Sequence, residues 1–512
     1  MNTYRMDPAK RPGIERALTR RVGRPSPIRT EAELTYYDTF DWRIFRASGT
    51  LVTIRSGAYD AEWRTIENPD GVRWRSRRVP GFARDLPAEA PREELRAVIK
   101  ARRLLPVVRT EERVRVWHLK DSRARCVARL TLRYGQARAP RSSTMKPLPP
   151  TLRIETMRDG ERGMRRAQRI LEEELGLERC RETDVELALS AIGRKPADYT
   201  SRLAVALDPR MRADRAVLAI LTALNGTMRR NEQGIRRNVD PEFLHDFRVA
   251  CRRTRAALTQ LKGVLRAETV TRFRREFQSM GKATGPTRDL DVYLLGMPSY
   301  KADLPPDVRD DLAPLQAYLE RRRDVAHAGL VAVLDGVWYR NTVRDWGRFL
   351  ASPLPEGGSG PDSREPVKDV AAQRIEKAHR RVMDHGSAIT AESPASDLHT
   401  LRINCKKLRY LLQFYQSLYP PSAISRPIDE LKALQDTLGD LNDLEIQEQA
   451  LRRFALEMAE ETAAPPETLL AVGRLVERLR LRRDDMRARF DLLFSRFTDP
   501  ASRKRFERLA RP

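Results

Sequence analysis

The chain has 512 residues, enough for two to four domains with hydrophobic cores, and its 40% of apolar residues excludes a largely disordered protein. The formal net charge is +26 at pH 7, and so large an excess of cations indicates a polyanionic partner, which could be nucleic acid, an anionic membrane surface or a phosphate polymer. GC-rich codon usage would explain why Arg outnumbers Lys, but it explains the net excess of cations less well.

The cysteines and the N-terminus predict a cytoplasmic protein. The four cysteines form no Cys-x-x-Cys pair, which argues against a zinc ribbon or a disulfide framework and favours a reducing compartment. The opening segment, MNTYRMDPAKRPGIERALTRR, has no apolar region typical of a secretory signal. No window contains the roughly 18 uncharged apolar residues of a membrane-spanning helix.

The N-terminal third predicts an α+β domain built on antiparallel strands. Residues 1–30 are basic and lack periodicity, so we expect a flexible arm there. Residues 31–195 contain short β-branched or aromatic runs, separated by Gly, Pro and Asp, and a helical pattern at 161–176. The predicted strands are GTLVTIRS (49–56), ERVRVWHL (112–119), CVARLTLRY (126–134) and TLRIETM (151–157).

A helical region is expected from residue 205 onward, where long segments with helical periodicity dominate. The Gly-, Pro- and Ser-rich segment 351–366 predicts a linker within this region. It separates a first half, 205–350, from a second half, 367–512.

The two halves contain the same cationic helix. LHDFRVACRRTRAAL (244–258) and LHTLRINCKKLRYLL (398–412) align at a shift of 154 residues, with their histidines superposed. At the same shift, TRDLDV (287–292) aligns with LNDLEI (441–446). Two matched patches at one shift predict a duplicated unit, folded as two four-helix bundles that are related by a pseudo-two-fold axis.

Each repeated helix directs its cations to one side. With about 100° of rotation per residue, Arg248, Arg252 and Arg255 lie within an arc of about 80° that includes His245, and apolar residues occupy the opposite side. Like charges four residues apart destabilise a helix by roughly a few tenths of a kcal/mol per pair, so a bound anion is the simplest compensation. Arg offers a planar fork to phosphate oxygens, and Lys offers a point charge.

Two alternatives stay open for these residues. The stripes could be solvated faces that Asp289 and Asp443 neutralise, and each histidine could be a packed, hydrogen-bonded strut. Arg253 and Lys407 lie outside the stripes and could be ordinary solvated positions. The candidate anion-binding residues are His245, Arg248, Arg252, Arg253, Arg255, His399, Arg402, Lys406, Lys407 and Arg409, with Arg55 and Arg288 as auxiliary positions.

The repeated helices resemble the CHAD family, the conserved histidine α-helical domain. Its hallmark, His-x-x-Arg-φ-x-x-(Arg/Lys)-(Arg/Lys)-x-Arg with φ aliphatic, occurs here as HDFRVACRRTR (245–255) and HTLRINCKKLR (399–409). RDLDV (288–292) and NDLEI (442–446) are similar to its downstream signatures, and the likeness covers about residues 205–512. The resemblance implies paired four-helix bundles with a basic cavity or surface that binds inorganic polyphosphate. It implies no cofactor, and for some members it implies association with polyphosphate granules.

The strand-rich region resembles a CYTH domain, the triphosphate tunnel fold. YYDTFDWRIFRASGTLVTIRS (36–56) and LLPVVRTEERVRVWHL (104–119) carry this likeness. It implies a tunnel-like barrel of antiparallel strands and a CYTH–CHAD organisation for the whole chain.

The CYTH-like region departs from that family where catalysis would need it. Its initial Glu-x-Glu-x-Lys strand has no counterpart in residues 1–35, Thr53 replaces one Arg of its Arg-x-Arg strand, and Met157 replaces the second acid after Glu155. A divalent metal needs several carboxylate oxygens around one ion. We therefore predict a degenerate barrel with no catalytic residues and no metal site.

The predicted function is non-catalytic binding of inorganic polyphosphate by a cytoplasmic protein of undetermined oligomeric state. One alternative is a metal-dependent triphosphatase that uses the CYTH-like region. Another is a non-specific nucleic-acid binder, which the charge permits. No helix-turn-helix, zinc-finger or RNA-recognition signature is present, and the stripes have few aromatic residues on which bases could stack.

Overall fold

The computed structural model describes residues 2–55, 59–65, 71–76, 81–157, 161–390, 392–462, 464–488 and 490–510. The chain divides into two units, Met1–Thr200 and Ser201–Pro512. The first unit contains an antiparallel sheet with short helices, and the second is helical. The predicted order, an α+β unit followed by an all-α unit, is confirmed at this level.

The first unit is built on one sheet in which every described pairing is antiparallel. Its strands are β1 Asn2–Arg5, β2 Arg29–Asp38, β3 Thr50–Arg55, β4 Tyr59–Arg64, β5 Val72–Ser76, β6 Leu105–Lys120, β7 Cys126–Arg138, β8 Lys146–Thr156 and β9 Glu178–Arg179. Their order across the sheet is β5-β4-β3-β2-β6-β7-β8-β1-β9. The four strands predicted from the sequence overlap β3, β6, β7 and β8.

The sheet is open, which corrects the prediction of a triphosphate-tunnel barrel. β5 and β9 are its two edges, and no pairing joins them among the described strands. A barrel closes only when its first and last strands pair with each other. β9 has two residues and pairs with β1, so it offers too short an edge for closure.

Short helices cover the sheet of the first unit. They are α1 Arg11–Val22, α2 Arg43–Arg46, α3 Arg92–Ile99, α4 Glu161–Arg169 and α5 Asp184–Ala191. The predicted helix at 161–176 corresponds to α4 and a π-helical turn, Ile170–Glu174, that continues it. α5 begins with a capping box, in which the side chains of Thr183 and Glu186 each accept from the other residue's backbone N–H.

The N-terminal segment is folded, so the prediction of a flexible arm over residues 1–30 is wrong for its described part. β1 pairs with both β8 and β9. Tyr4 and Leu18 are fully buried in an apolar cluster with Trp117, and Ile14 packs one helical turn before Leu18. The many cations of this segment obscured the four-residue spacing of Ile14 and Leu18, which buries one face of α1.

The second unit consists of helices, none of which is both long and apolar enough to cross a membrane within the part of the chain that the structure describes. The helices are α6 Ala213–Arg236, α7 Pro241–Gln260, α8 Ala267–Ala283, α9 Gly285–Ala302, α10 Ala313–Asp335, α11 Val337–Ala351, α12 Val367–Ser387, α13 Ala395–Phe414, α14 Pro421–Thr462, α15 Pro466–Ala488, α16 Phe490–Phe497 and α17 Pro500–Leu509.

The helix boundaries of the second unit recur along the chain. α12, α13 and α14 begin 154 residues after α6, α7 and α8, and α13 also ends 154 residues after α7. The halves differ at the end of α8, because Pro286 lies in the first turn of α9 and proline breaks a continuing helix. Asp440 occupies that place in the second half, where α14 continues without interruption.

The predicted linker, 351–366, packs against the helices on both sides of it. The backbone N–H of Asp214, in the first turn of α6, donates to Ser363 O at 3.1 Å. The N–H of Val367, at the start of α12, donates to Met211 O at 2.8 Å, and Ser363 is buried. The segment thereby satisfies a donor in the first turn of α6, and Met211, which precedes α6, satisfies one at the start of α12; neither donor has a partner within its own helix.

One apolar core is shared by the two halves of the second unit. The rings of Tyr293 in α9 and Phe454 in α14 meet edge to face, with 5.3 Å between their centroids. Leucines and other apolar residues of α10 and α15 belong to the same buried cluster. This shared core fixes the helices of one half against those of the other.

Candidate anion-binding site

The two cationic helices, α7 and α13, contact each other directly. Arg252 Nε donates to the hydroxyl of Tyr410 at 2.8 Å, and Arg253 Nη2 donates to Gln413 Oε1 at 3.1 Å. Both helices bury the apolar side that the sequence predicts, with Phe247 fully buried in α7. The repeated segments are therefore neighbours in space, although 154 residues separate them in sequence.

The start of α7 is set by local chemistry. The Asp240 side chain accepts from the backbone N–H groups of Glu242 and Phe243, at 3.0 and 3.3 Å, and Pro241 occupies the first helical position. An acidic cap and an initial proline are the usual signals of a helix N-terminus. They fix where the helix begins and so which way its cations point.

Arg248 is anchored at the end of α8. Its Nη1 donates to Gly281 O at 2.9 Å and to Thr284 Oγ1 at 2.8 Å. Burial lowers the pKa of Arg248, and the nearby Asp289 carboxylate opposes this shift. The guanidinium thus satisfies a carbonyl in the last turn of a helix and keeps its Nη2 group for another partner.

The two histidines hold equivalent positions with different hydrogen bonds. His245 Nδ1 lies 3.1 Å from Arg288 Nη2, and because arginine can only donate, this ring nitrogen accepts. His399 Nδ1 lies 2.8 Å from Asn442 Oδ1, while the Asn442 amide nitrogen faces Asp443, so here Nδ1 donates. Each histidine contacts the residue 43 positions later in the chain.

The second copy places a lysine among arginines. Arg402 Nη2 lies 3.1 Å from Asp443 Oδ1, and its buried Nε has no hydrogen-bond partner among the described residues. The pKa of Lys406 is lowered to about 8, first by burial and then by the positive charges of Arg402 and Arg252, while Asp443 opposes the shift. Arg252 belongs to the other copy, so the stripes of α7 and α13 act on each other.

The downstream aspartates also converge. Burial raises the pKa of Tyr293, and the carboxylates of Asp289 in α9 and Asp443 in α14 raise it further. Asp289 in turn acts on Arg248, and Asp443 on Lys406. The cations and the aspartates of both copies therefore surround one region of the second unit.

Six cations make up what we call the cationic face: Arg248, Arg252, Arg255, Arg402, Lys406 and Arg409. The side chains of Arg255, Lys406 and Arg409 form no hydrogen bond or ion pair with any other described residue. The buried Nε of Arg409 also lacks a partner in the described part of the chain. The alternative in which acids neutralise the stripes thus accounts for Arg402, which Asp443 contacts, and leaves these three side chains unexplained.

A cleft of about 270 Å³ opens beside α7 on the cationic face. Arg248, Arg252 and Arg255 line one side of it, and Lys282 adds a cation from α8. Lys282 was not predicted from the sequence, because α8 carries no counterpart of the repeated motif. The role of Tyr410, whose hydroxyl positions Arg252, was not predicted either, because a single aromatic beside a cation is a weak signal.

Three predicted residues lie away from the cationic face. Arg253 is directed into the helix packing, where it contacts Ser201 O at 3.3 Å as well as Gln413, and burial lowers its pKa. Lys407 lines a different cleft on another side of α13. Arg55 belongs to the first unit, where its Nη1 lies 3.6 Å from Glu33 Oε2.

Glu155, the one acid that matches the expected late CYTH strand, has a basic partner. Glu155 Oε2 lies 2.6 Å from Arg129 Nη2 on the neighbouring strand. In the described ranges, no group of three or more His, Cys, Asp or Glu side chains is arranged to hold a metal ion. Met157 is exposed beside this ion pair.

Comparison with known proteins identifies one region of the chain. The model of the CHAD domain family matches residues 219–452. A solved structure of the CHAD domain from the plant Ricinus communis is 24% identical, with 57% of this chain and 96% of that chain covered and a TM-score of 0.47. PptA from Streptomyces chartreusis is 15% identical, with 56% and 100% covered and a TM-score of 0.44. No curated protein matches the chain. The family match extends from α6 into α14 and includes both cationic helices, and residues 219–452 form a CHAD domain.

Proposed function

We propose that this protein binds inorganic polyphosphate on the cationic face and does not hydrolyse it. The observation that carries the proposal is the contact between α7 and α13, which brings two stripes of like charge together. Three of their cations have no hydrogen-bond or ion-pair partner among the described residues. We take the polyanion to be a phosphate polymer, because the resemblance of this chain to the CHAD family implies one. Association with polyphosphate granules in the cytoplasm would follow from such binding.

The energetics favour an extended anion over a single small one. Six cations on two helices repel each other, and two aspartates offset only part of this repulsion. Burial is the first cause of the lowered pKa of Lys406, and the charges of Arg402 and Arg252 add to it. A polymer with a negative charge on each phosphate can contact both helices at once and release the counterions that otherwise screen them. Charge-assisted hydrogen bonds from arginine to phosphate are among the strongest that proteins form.

The histidines have supporting roles in this proposal. His399 is exposed and donates from Nδ1 to Asn442, so its Nε2 can donate to a phosphate once the ring is protonated. His245 accepts from Arg288 and so orients that guanidinium beside the cationic face. Arg288 would act as the auxiliary contact, and Arg55 would not belong to this site.

We also infer that the two halves of the second unit are related by a pseudo-two-fold axis. The recurrence of helix boundaries at 154 residues supports this relation. So does the recurring contact of each histidine with the residue 43 positions later. Under this symmetry, one polyphosphate chain would meet equivalent cations from both copies.

The first unit is proposed to be a catalytically inactive relative of CYTH domains. Its sheet is open, its Glu155 is paired with Arg129, and among the described residues no three His, Cys, Asp or Glu side chains are grouped as a divalent metal would need. Sustained release of phosphate from tripolyphosphate in the presence of Mg²⁺ or Mn²⁺ would contradict this part of the proposal. Loss of that activity on changing Glu155 to Gln would assign it to the first unit.

A charge-reversal experiment tests binding at the cationic face. Arg255→Glu with Lys406→Glu removes two cations whose side chains form no hydrogen bond with other described residues, so the fold should persist. Each change costs roughly 1.5–3 kcal/mol of charge-assisted hydrogen bonding, and affinity for long-chain polyphosphate should fall about 100-fold or more. Isothermal titration calorimetry at fixed salt measures this loss.

The matched control reverses two exposed cations of α17 that are not among the six of the cationic face, Lys504→Glu with Arg508→Glu. It changes the net charge by the same amount, so general electrostatic attraction is held constant. Polyphosphate affinity should stay within about threefold of that of the unmodified protein, because salt screens distant charges from the bound polymer. Equal losses in the two double variants would show that net charge, and not the cationic face, governs binding.

A further inference from the structure

A second basic cleft lies on another side of α13. It has a volume of about 210 Å³ and is enclosed by the end of α7, the middle of α12 and the central turns of α13. Asn404, Lys407 and Leu411 line it from α13, about half a helical turn away from Arg402 and Lys406. We call it the second cleft, and its cations are Lys262, Arg374, Lys377, Arg381 and Lys407.

The cations of the second cleft are mostly unpaired. No acidic residue is among its lining side chains. Within the described residues, the side chains of Lys377, Arg381 and Lys407 form no hydrogen bond or ion pair. Arg374 is held in place, since its Nη2 donates at 2.8 Å both to Lys262 O and to Asp362 Oδ2. One fixed guanidinium and three free cations thus face a common space.

Two buried donors at the second cleft also lack acceptors. Gln260 Nε2 and Arg374 Nε are inaccessible to solvent and have no hydrogen-bond partner in the described part of the chain. Buried donors are normally satisfied, and each exception needs an explanation. An oxyanion in the cleft would supply acceptors to both donors and negative charge to the surrounding cations.

The second cleft is not a product of the duplication. Its three cations from α12 have uncharged counterparts in α6, 154 residues earlier in the chain. Arg374, Lys377 and Arg381 correspond to Ile220, Ala223 and Thr227. The acid of α12 next to these cations, Glu376, pairs instead with Arg380 at 2.6 Å. The second half therefore has a basic cleft that the first half does not have.

We propose that the second cleft binds a small phosphate-bearing anion. Its volume is below the roughly 300–1,000 Å³ of typical small-molecule sites, which fits one or two phosphate groups and not a large organic ligand. The fixed Arg374 would contact the phosphate oxygens together with Gln260, and the charged ends of Lys377, Arg381 and Lys407 would neutralise the remaining charge. This site stands independently of polyphosphate binding on the cationic face.

The test uses pyrophosphate as the probe and the full chain with Arg255→Glu and Lys406→Glu, so that the cationic face no longer competes. Adding Arg381→Glu, which lines the second cleft, should weaken pyrophosphate binding at least tenfold in calorimetry. Adding Arg380→Glu instead changes the same charge on the neighbouring residue of the same helix, outside the cleft, and should leave affinity within about twofold. Lys377→Glu should repeat the effect of Arg381→Glu.

Equal effects of Arg380→Glu and Arg381→Glu, or no effect of Arg381→Glu and Lys377→Glu in chains with unchanged circular dichroism, would overturn the second cleft as a site. Absence of any pyrophosphate binding in the starting variant would also overturn it. A second arm distinguishes the source of the phosphate in the chain with an intact cationic face. If Arg381→Glu weakens long-chain polyphosphate as well, the cleft takes a polymer end; if it affects pyrophosphate alone, the ligand is a free small phosphate.

Discussion

At the scale of single residues, position on a helix decided most of the site. The arc of Arg248, Arg252 and Arg255 follows from the helical period, and these side chains do line one cleft. The position of Arg253 on the helix does not predict its role, because its contacts with Ser201 and Gln413 depend on how distant segments pack. No spacing rule in the sequence identifies an arginine that is used to join two helices.

Lys406 makes binding depend on pH in a defined direction. Its pKa is lowered to about 8 in the free protein, so the ammonium loses its proton within an accessible range. A bound phosphate favours the charged lysine and raises this pKa, so the complex holds more protons than the free protein around pH 8–9. Polyphosphate affinity should therefore fall as pH rises from 7 to 9.5. The decrease can reach about tenfold for each unit by which binding raises the pKa of Lys406.

Calorimetric titrations at the two pH values and constant ionic strength measure this dependence. Lys406→Arg is the matched control, because arginine stays charged throughout the range. The variant should retain binding at pH 7 and lose most of the decrease at pH 9.5. The same decrease in the variant would mean that another group titrates.

At the scale of helices and strands, the sequence predicted which elements form better than it predicted how they pair and pack. The periodic segments of α7 and α13 and the alternating runs of β6 and β7 lie where their patterns indicate. Whether the sheet closes into a barrel was not predictable from the sequence, because closure depends on strand pairings between distant segments. The N-terminal segment was misjudged because its charge concealed two buried residues, Ile14 and Leu18.

Arg248 should stabilise the end of α8 as well as bind anions. Its hydrogen bonds to Gly281 O and Thr284 Oγ1 connect α7 to α8, and a charged donor to a partly buried acceptor contributes about 1.5–3 kcal/mol. Arg248→Ala should therefore lower the free energy of unfolding of the second unit by about 2 kcal/mol, with denaturant titration as the measurement.

Arg255→Ala is the comparison, since Arg255 is exposed and its side chain has no described partner. It should change stability by less than about 0.5 kcal/mol. Similar losses in both variants would mean that the anchoring of Arg248 contributes little. A loss of stability from Arg255→Ala alone would show that Arg255, and not Arg248, stabilises the second unit.

At the scale of the whole molecule, the duplication organises the helical unit but does not divide it into independent domains. Its halves share the core in which Tyr293 packs on Phe454. The repeat was visible in the sequence because equivalent residues keep their chemistry, as with His245 and His399. The second cleft was not visible in the sequence. Its cations come from α12, which lacks the repeated motif, and from segments brought together by folding.

A crystal structure of the protein soaked with a short polyphosphate would show whether one polyphosphate chain contacts both copies of the cationic helix. We expect phosphate oxygens within about 3 Å of Arg255 from α7 and of Lys406 and Arg409 from α13, joined by continuous density. Phosphates bound elsewhere, with Arg255, Lys406 and Arg409 all unoccupied, would contradict this expectation.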